Sequence, residues 1–348
     1  MFHMKNFGST RPVLNDIANK ITYSGTQNLI IKPDEEQNPI IKSQSTSNLD
    51  FNRNEIVVPE AKNSFQKSPK VDNYNPDSHL YVAEYTAEIM SYLFDLEKKN
   101  NVTDKFLKRS SNQVVEARSR LVNSIVKTQI KFSLCQEVLF LTVQIIDRYL
   151  DLTPIEEIDL ILLTGTAFFI ASKYEDRSKV NLGSINRMTG YSYSRSDIKK
   201  MEVTILKKLD FSMKKPLPLQ FLRRFSMISG VDFKEHTVAK YLLELSLLDF
   251  EFSMMKPSYV AACAFSLSIK LFKKVEWSSK LEIESTYKLV NLRHGMQKLA
   301  QLVLKVNQVD FEYKETWKKF NEPSMYQVSS LPELNGVKIR EIALGFVE

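Results

Sequence analysis

Metal-assisted hydrolysis would call for histidines spaced as HExxH, and acyl transfer for a nucleophile, a base and an orienting acid. The four histidines, His3, His79, His236 and His294, are scattered and form neither pattern. A phosphate-cradling loop would be glycine-rich, yet the nine glycines make no GxGxxG and no GxxxxGKS/T. Cys135 and Cys263 have no CxxC or Cys/His spacing, so they read as thiols rather than a zinc site or a disulfide framework. Carboxylate neighbours such as Glu156 with Glu157, or Glu175 with Asp176, sit at helix ends and need no catalytic explanation. The sequence therefore predicts no catalytic residue, no cofactor and no metal. What remains is recognition through charge. Lys173, Glu175 and Asp176 close a stretch, Ile155 to Tyr174, that is apolar on nearly every side. A helix of that kind is enclosed by other helices, and its charged end faces a partner or water.

The surrounding elements must hold that end in place. Residues 1–78 are rich in Asn, Ser, Gln, Lys and Pro with no sustained period, a composition that predicts a disordered tail. From His79 the character changes. Tyr81, Tyr85, Ile89, Tyr92, Leu93 and Leu96 recur at three- and four-residue steps, predicting an amphipathic helix that Asn100 and Asn101 end. Five helices follow: Val114 to Phe132, Leu134 to Leu150, Ile155 to Tyr174, a short one at Leu182 to Met188, and Ser194 to Leu209. Pro216 and Pro218 punctuate the chain. A second series then runs from Leu219 through His236 to Phe252, Ser258 to Phe272, Leu281 to Leu289 and Leu292 to Val306, with an irregular stretch at 322–348.

The two series are related. AFFIASK (Ala167 to Lys173) and AFSLSIK (Ala264 to Lys270) share Ala, Phe and Lys at matching positions, and each follows a hydrophobic-hydrophobic-Asp step, Ile145-Ile146-Asp147 and Leu247-Leu248-Asp249. Two matches in the same order predict a duplicated five-helix unit. The formal charge is +7, and residues 1–78 hold nine basic and nine acidic residues, so the excess lies in the remainder. There it is dispersed without aromatic interleaving, which argues for a solvated face and against nucleic-acid binding. No apolar run reaches about 18 residues, the length of a membrane span, and Met1 to Lys20 has no signal-peptide core. The expectation is a soluble intracellular protein, shared between nucleus and cytoplasm, with no membrane partner.

On these motifs the chain resembles the A/B-type mitotic cyclins. EYTAEIMSYL, KFSLCQEVLFLTVQIIDRYL, AFFIASKYED, KKMEVTILKKLDF, KPLPLQFLRR and HTVAKYLLELSLLDFEF carry the likeness over roughly Tyr81 to Val306, and the PLP-x-FLRR junction points to the B type. The resemblance implies an all-α fold of tandem cyclin boxes, two five-helix bundles with a preceding helix. The first box with that helix would span 79–213 and the second 214–321. It also implies a regulatory subunit without catalytic activity of its own, which binds and activates a cyclin-dependent serine/threonine kinase as a heterodimer and controls the G2/M transition.

Residue by residue, Lys173 and Glu202 sit where the family places two charged contacts to the kinase helix, although Lys173 would equally favour the C-terminus of its own helix. Tyr85 and Ile89 match kinase-packing positions of the leading helix, and core packing would suit them as well. Arg118 and Asp147 match a structural ion pair tying the first two box helices together. The family motif MRAILVDWLVEV stands here as ARSRLVNSIVKT. Ala117, Arg120 and Ser124 replace its docking-patch Met, Ile and Trp, Lys127 replaces an acidic residue, and Leu121 is kept. Conventional docking of RxL peptides is therefore in doubt.

In the tail, RPVLNDIAN places Arg11, Leu14, Ile17 and Asn19 in the register of a mitotic-cyclin destruction box, implying a ubiquitin ligase of mitotic exit as a second partner. Ser68-Pro69 is a minimal proline-directed phosphorylation site. Two other readings use the same fold. A transcription-type factor would, in its general-factor form, carry a zinc ribbon for which the cysteines are lacking. A divergent scaffold would activate nothing.

Overall fold

The computed structural model describes residues 85–99, 102–153, 157–176, 180–213, 215–272 and 275–346, and among these every regular element is helical. The leading helix α1 (Thr86–Lys98) buries Met90, Leu93 and Glu97. A short helix α2 (Lys105–Arg109), absent from the sequence reading, buries Phe106 against Phe250, ring centroids 4.6 Å apart. Five residues are too few to show a helical period, which is why the pattern missed it.

The first bundle comprises α3 (Asn112–Phe132), α4 (Gln136–Leu152), α5 (Glu157–Glu175), α6 (Leu182–Met188) and α7 (Arg195–Lys208). Ser111 caps α3 by accepting the Val114 N–H, and Ser133 closes it at φ 50, a left-handed turn. As the apolar composition predicted, α5 is the enclosed element: it packs on α3, α4, α6 and α7, and Leu163 to Ser172 are buried without interruption. Gly165 lets α6 approach closely, because a Cβ there would meet the methyl groups of Thr189 and Ile185.

The second bundle repeats the plan. Helices α8 (Pro218–Ser229), α9 (Phe233–Ser246), α10 (Phe250–Ser253), α11 (Pro257–Phe272), α12 (Ser279–Ser285) and α13 (Leu289–Asn307) follow, and α11 packs on α8, α9, α12 and α13. The two similar heptapeptides thus lie on the two central helices, with Phe168 and Phe265 each fully buried. Truncating either ring to Ala would cost about 3–5 kcal/mol.

Three expectations need correction. The helix predicted over His236 to Phe252 is two helices, α9 and α10. The chain opens at Leu247–Asp249 because the freed carbonyls find partners on α3: Arg118 donates to Leu247 at 2.9 Å and Ser119 to Leu248 at 2.8 Å. Asp249 then caps α10 by accepting the Glu251 N–H at 2.9 Å. The helix expected to Leu289 ends at Ser285, where Thr286 takes φ 66. The stretch expected to be irregular after 322 holds three 3₁₀ turns, at Pro323–Met325, Val328–Ser330 and Pro332–Leu334. It is preceded by α14 (Glu315–Phe320) and followed by α15 (Val337–Ala343), which buries Ile339 and Ile342 and packs on α13. Single turns leave no period to read, so their apolar anchors looked isolated.

Candidate functional site

Lys173 lies in the last turn of α5 and Glu202 in the middle of α7, and their side chains form an ion pair across the two helices. The Lys173 ammonium also stands 4.2 Å from the centroid of the Phe169 ring, one turn earlier on α5. Phe169 is nearly buried, so the lysine stem lies over apolar surface while its charge stays at the rim. Helix α7 is fixed at its start by a reciprocal cap: Ser194 Oγ accepts the Asp197 N–H at 3.1 Å, and Asp197 accepts the Ser194 N–H at 2.9 Å. The Ser194 hydroxyl also donates to the Asp197 carboxylate at 2.7 Å, and this bond, with that from the Ser194 N–H, holds the carboxyl below its ordinary range. Beside the pair, Tyr174 and Val203 leave about half their surface open. An ion pair rimmed by exposed apolar side chains suits recognition of a helix that presents both charge and apolar surface.

On α1 the structure separates two apolar faces. Met90 and Leu93 point into the core, whereas Tyr85, Ile89 and Tyr92, at steps of four and three residues, stay 55, 45 and 54 % exposed. Tyr85 and Ile89 were singled out from the sequence. Tyr92 was read only as part of the amphipathic period, and the available signal was an apolar stripe too wide for one buried face. Ile89 lines a groove against α8 and α9 whose lining includes neither Lys173 nor Glu202. Glu97, at the other end of α1, accepts the Ser258 N–H at 3.0 Å and its hydroxyl at 2.6 Å, which ties α1 to the start of α11. Burial pushes the Glu97 carboxyl up, against the lowering effect of those two bonds.

Arg118 and Asp147 form a buried bidentate pair, Nε to Oδ1 and Nη2 to Oδ2 both at 2.6 Å, with side chains 1 and 2 % exposed. The pair joins α3 to α4, and through the Leu247 carbonyl and Ser253 it reaches the second bundle as well. On the next face of α3, Ala117, Leu121 and Ser124 are buried at 0, 2 and 5 % exposure, Arg120 is half-buried and Lys127 is exposed. Helix α14 lies along α3, with Asn123 accepting the Glu315 N–H at 2.9 Å and Lys319 donating to Gln129 at 3.1 Å. These replaced positions therefore offer no open apolar slot. Arg11, Leu14, Ile17, Asn19 and Ser68 lie outside the described residues. Among the described residues no cluster of three His, Cys, Asp or Glu side chains could hold a metal, and no helix is long and apolar enough to cross a membrane.

Two family descriptions match the chain in tandem: "Cyclin, N-terminal domain" over residues 88–214 and "Cyclin, C-terminal domain" over 216–334. The G2/mitotic-specific cyclin-B1 of Anguilla japonica is 36 % identical over 277 residues, covering 80 % of this chain and 68 % of the relative. The chain is a cyclin of the mitotic B-type group. Among other B-type cyclins, the G2/mitotic-specific cyclin-B2 of Oryzias latipes is 35 % identical over 274 residues, covering 78 % of this cyclin and 70 % of the relative. The G2/mitotic-specific cyclin-B of Marthasterias glacialis is 34 % identical over 305 residues, with 87 and 78 % covered. A solved viral cyclin from herpesvirus saimiri shares the fold at TM-score 0.55 and 17 % identity, covering 62 % of this cyclin and 96 % of that chain. The all-α tandem-box architecture read from the sequence is thereby established.

Proposed function

We propose that this cyclin is the regulatory subunit of a cyclin-dependent serine/threonine kinase, contributing no catalytic group of its own and acting at the G2/M transition. The carrying observation is the Lys173–Glu202 pair at the open end of the enclosed α5 helix, in a chain of the mitotic B-type group. The pair would meet the mobile helix of the kinase and hold it where the catalytic Lys–Glu contact forms. Tyr85, Ile89 and Tyr92 would add an apolar contact from α1. Arg118 and Asp147 would serve architecture, keeping both bundles in register beneath that surface.

Substrate selection through RxL peptides would be weak, since the positions that normally supply the slot are small, buried or cationic. The tail motif at Arg11, Leu14, Ile17 and Asn19 would hand the protein to a ubiquitin ligase at mitotic exit, in nucleus or cytoplasm. Affinity purification from dividing cells tests the reading: a co-purifying cyclin-dependent kinase supports it, and its absence leaves the scaffold alternative ahead. For the tail, Arg11→Ala with Leu14→Ala should prolong the protein through mitotic exit. Disappearance of variant and parent together in a pulse-chase would remove that part of the proposal.

A further inference from the structure

Between α7 and α8 the chain lies along α4. It leaves α7 through Asp210 and Phe211, both left-handed at φ 51 and 49, and two side chains one turn apart on α4 then hold it. Arg148 Nη1 donates to the Ser212 carbonyl at 2.7 Å, and Gln144 donates to the Pro216 carbonyl at 3.3 Å. Lys215 stands between these two anchors and is half-buried, which brings its ammonium beside the Arg148 guanidinium. Two like charges withdrawn from water are costly unless a counter-charge joins them.

The carboxylates of α4 are engaged elsewhere: Glu137 with Arg223, Asp147 with Arg118, and Asp151 with the Thr103 hydroxyl. Among the described residues, the neutral Ser212 carbonyl is the one partner of the Arg148 side chain, which is only 8 % exposed, and the Lys215 side chain has none. Burial lowers the Arg148 guanidinium, and burial with the Arg148 charge holds Lys215 down to about 8 from an ordinary 10.5. Arg148 Nε and Nη2 remain as a flat fork of the kind that takes two oxygens of one group, and Lys215 adds a point charge. A phosphoryl group, with nearly two negative charges and three acceptor oxygens, compensates both cations, whereas a carboxylate would compensate one. We propose that Arg148 and Lys215 form a phosphoryl-binding site where the first bundle leads into the second, Arg148 taking two oxygens and Lys215 the third. The bound group would tie α4 to the segment that enters α8. Free phosphate and the phosphorylated Ser or Thr of a peptide supply the same chemistry, and the experiment separates them.

The test uses the full chain, with inorganic phosphate and N-acetyl-O-phosphoserine amide as probes, in calorimetric titrations and thermal melts at constant ionic strength against sodium chloride. Binding should saturate, and a probe at about ten times its dissociation constant should raise the melting temperature by roughly 3 °C. Lys215→Gln should weaken the tighter probe about tenfold or more, the loss of one charge-assisted bond, while Lys215→Arg should stay within about threefold of the parent. Arg148→Gln should abolish binding. Because Arg148 also holds the Ser212 carbonyl, a far-ultraviolet spectrum checks that variant, and if it does not fold the two Lys215 variants decide. Tighter binding of the phosphoserine amide supports the site and assigns it to a phosphorylated segment; equal or weaker binding supports the site and assigns it to free phosphate. Absence of saturable binding by either probe, a melting shift reproduced by chloride, or equal affinities in parent and Lys215→Gln would overturn the proposal.

Discussion

Lys173 of α5 and Glu202 of α7 are bonded to each other, so the two charges form one unit with the Phe169 ring beneath the ammonium at 4.2 Å. An exposed pair of this kind contributes about 0–1 kcal/mol to folding, so its value must lie in what it presents outward. Reversing both residues, Lys173→Glu with Glu202→Lys, preserves an internal pair while inverting the polarity shown to a docked helix. The expected outcome is a melting temperature moved by no more than about 4 °C and kinase affinity lowered by roughly thirtyfold, about 2 kcal/mol. Thermal melting and a binding titration on the same samples check both halves.

The buried pair predicts the opposite pattern. Arg118→Ala strands Asp147 at 2 % exposure, with the hydroxyl of Ser253 as its remaining side-chain partner, and leaves the Leu247 carbonyl without its guanidinium donor. The loss should be about 3–5 kcal/mol in chemical denaturation. Arg118→Lys should recover little, because an ammonium cannot reproduce the two parallel bonds to Asp147 together with the bond across to the second bundle.

His236 supplies a pH signature. Its ring nitrogen Nδ1 lies 2.8 Å from Ser226 Oγ, and burial with the Lys240 and Arg223 charges lowers it to about 4 from an ordinary 6.5. The unfolded chain therefore binds the proton more tightly than the folded one. The neutral ring's contribution is fully present above pH 6.5 and is lost as pH falls from 6.5 through 4. Between pH 7 and pH 5 the parent should lose more melting temperature than His236→Gln. Identical losses would place the acid sensitivity on other groups.

RxL peptides should bind this cyclin far more weakly than they bind one with the usual patch. Ser124 stands where an indole would anchor the peptide and is itself buried, and Lys127 repels the peptide arginine. Loss of a central aromatic anchor costs about 2 kcal/mol or more, some thirtyfold in affinity. Fluorescence titration with a labelled RxL peptide measures this directly.

Much of the fold was legible because its signals are long. The enclosed helix over Ile155 to Tyr174 declared itself by apolar composition, and Leu182 to Met188 was read with the bounds it has in α6. The repeat of AFFIASK and AFSLSIK marked the central helix of each bundle before any packing was known. Short elements escaped. Helix α2, the three 3₁₀ turns and α15 are held by tertiary contacts such as Phe106 on Phe250 and Ile339 in the core, and no local period encodes those. The break at Leu247–Asp249 was equally hidden, because its cause, Arg118 and Ser119, lies about 130 residues away in sequence. At the candidate site, the resemblance to the mitotic cyclins pointed to Lys173 and Glu202 separately. Their mutual bond, and the outward face of Tyr92, are properties of how α1, α5 and α7 are placed.

The central claim is that this cyclin activates a kinase through the end of α5. The most direct measurement is phosphorylation of a Ser/Thr-Pro peptide by a cell-cycle kinase from the same source, alone, with the parent cyclin, and with Lys173→Glu/Glu202→Lys. The account predicts no activity from the cyclin alone, strong stimulation of the kinase by the parent, and loss of most of that stimulation in the folded double variant. Stimulation undiminished by the charge reversal, or phosphorylation by the isolated, mass-verified cyclin, would contradict it.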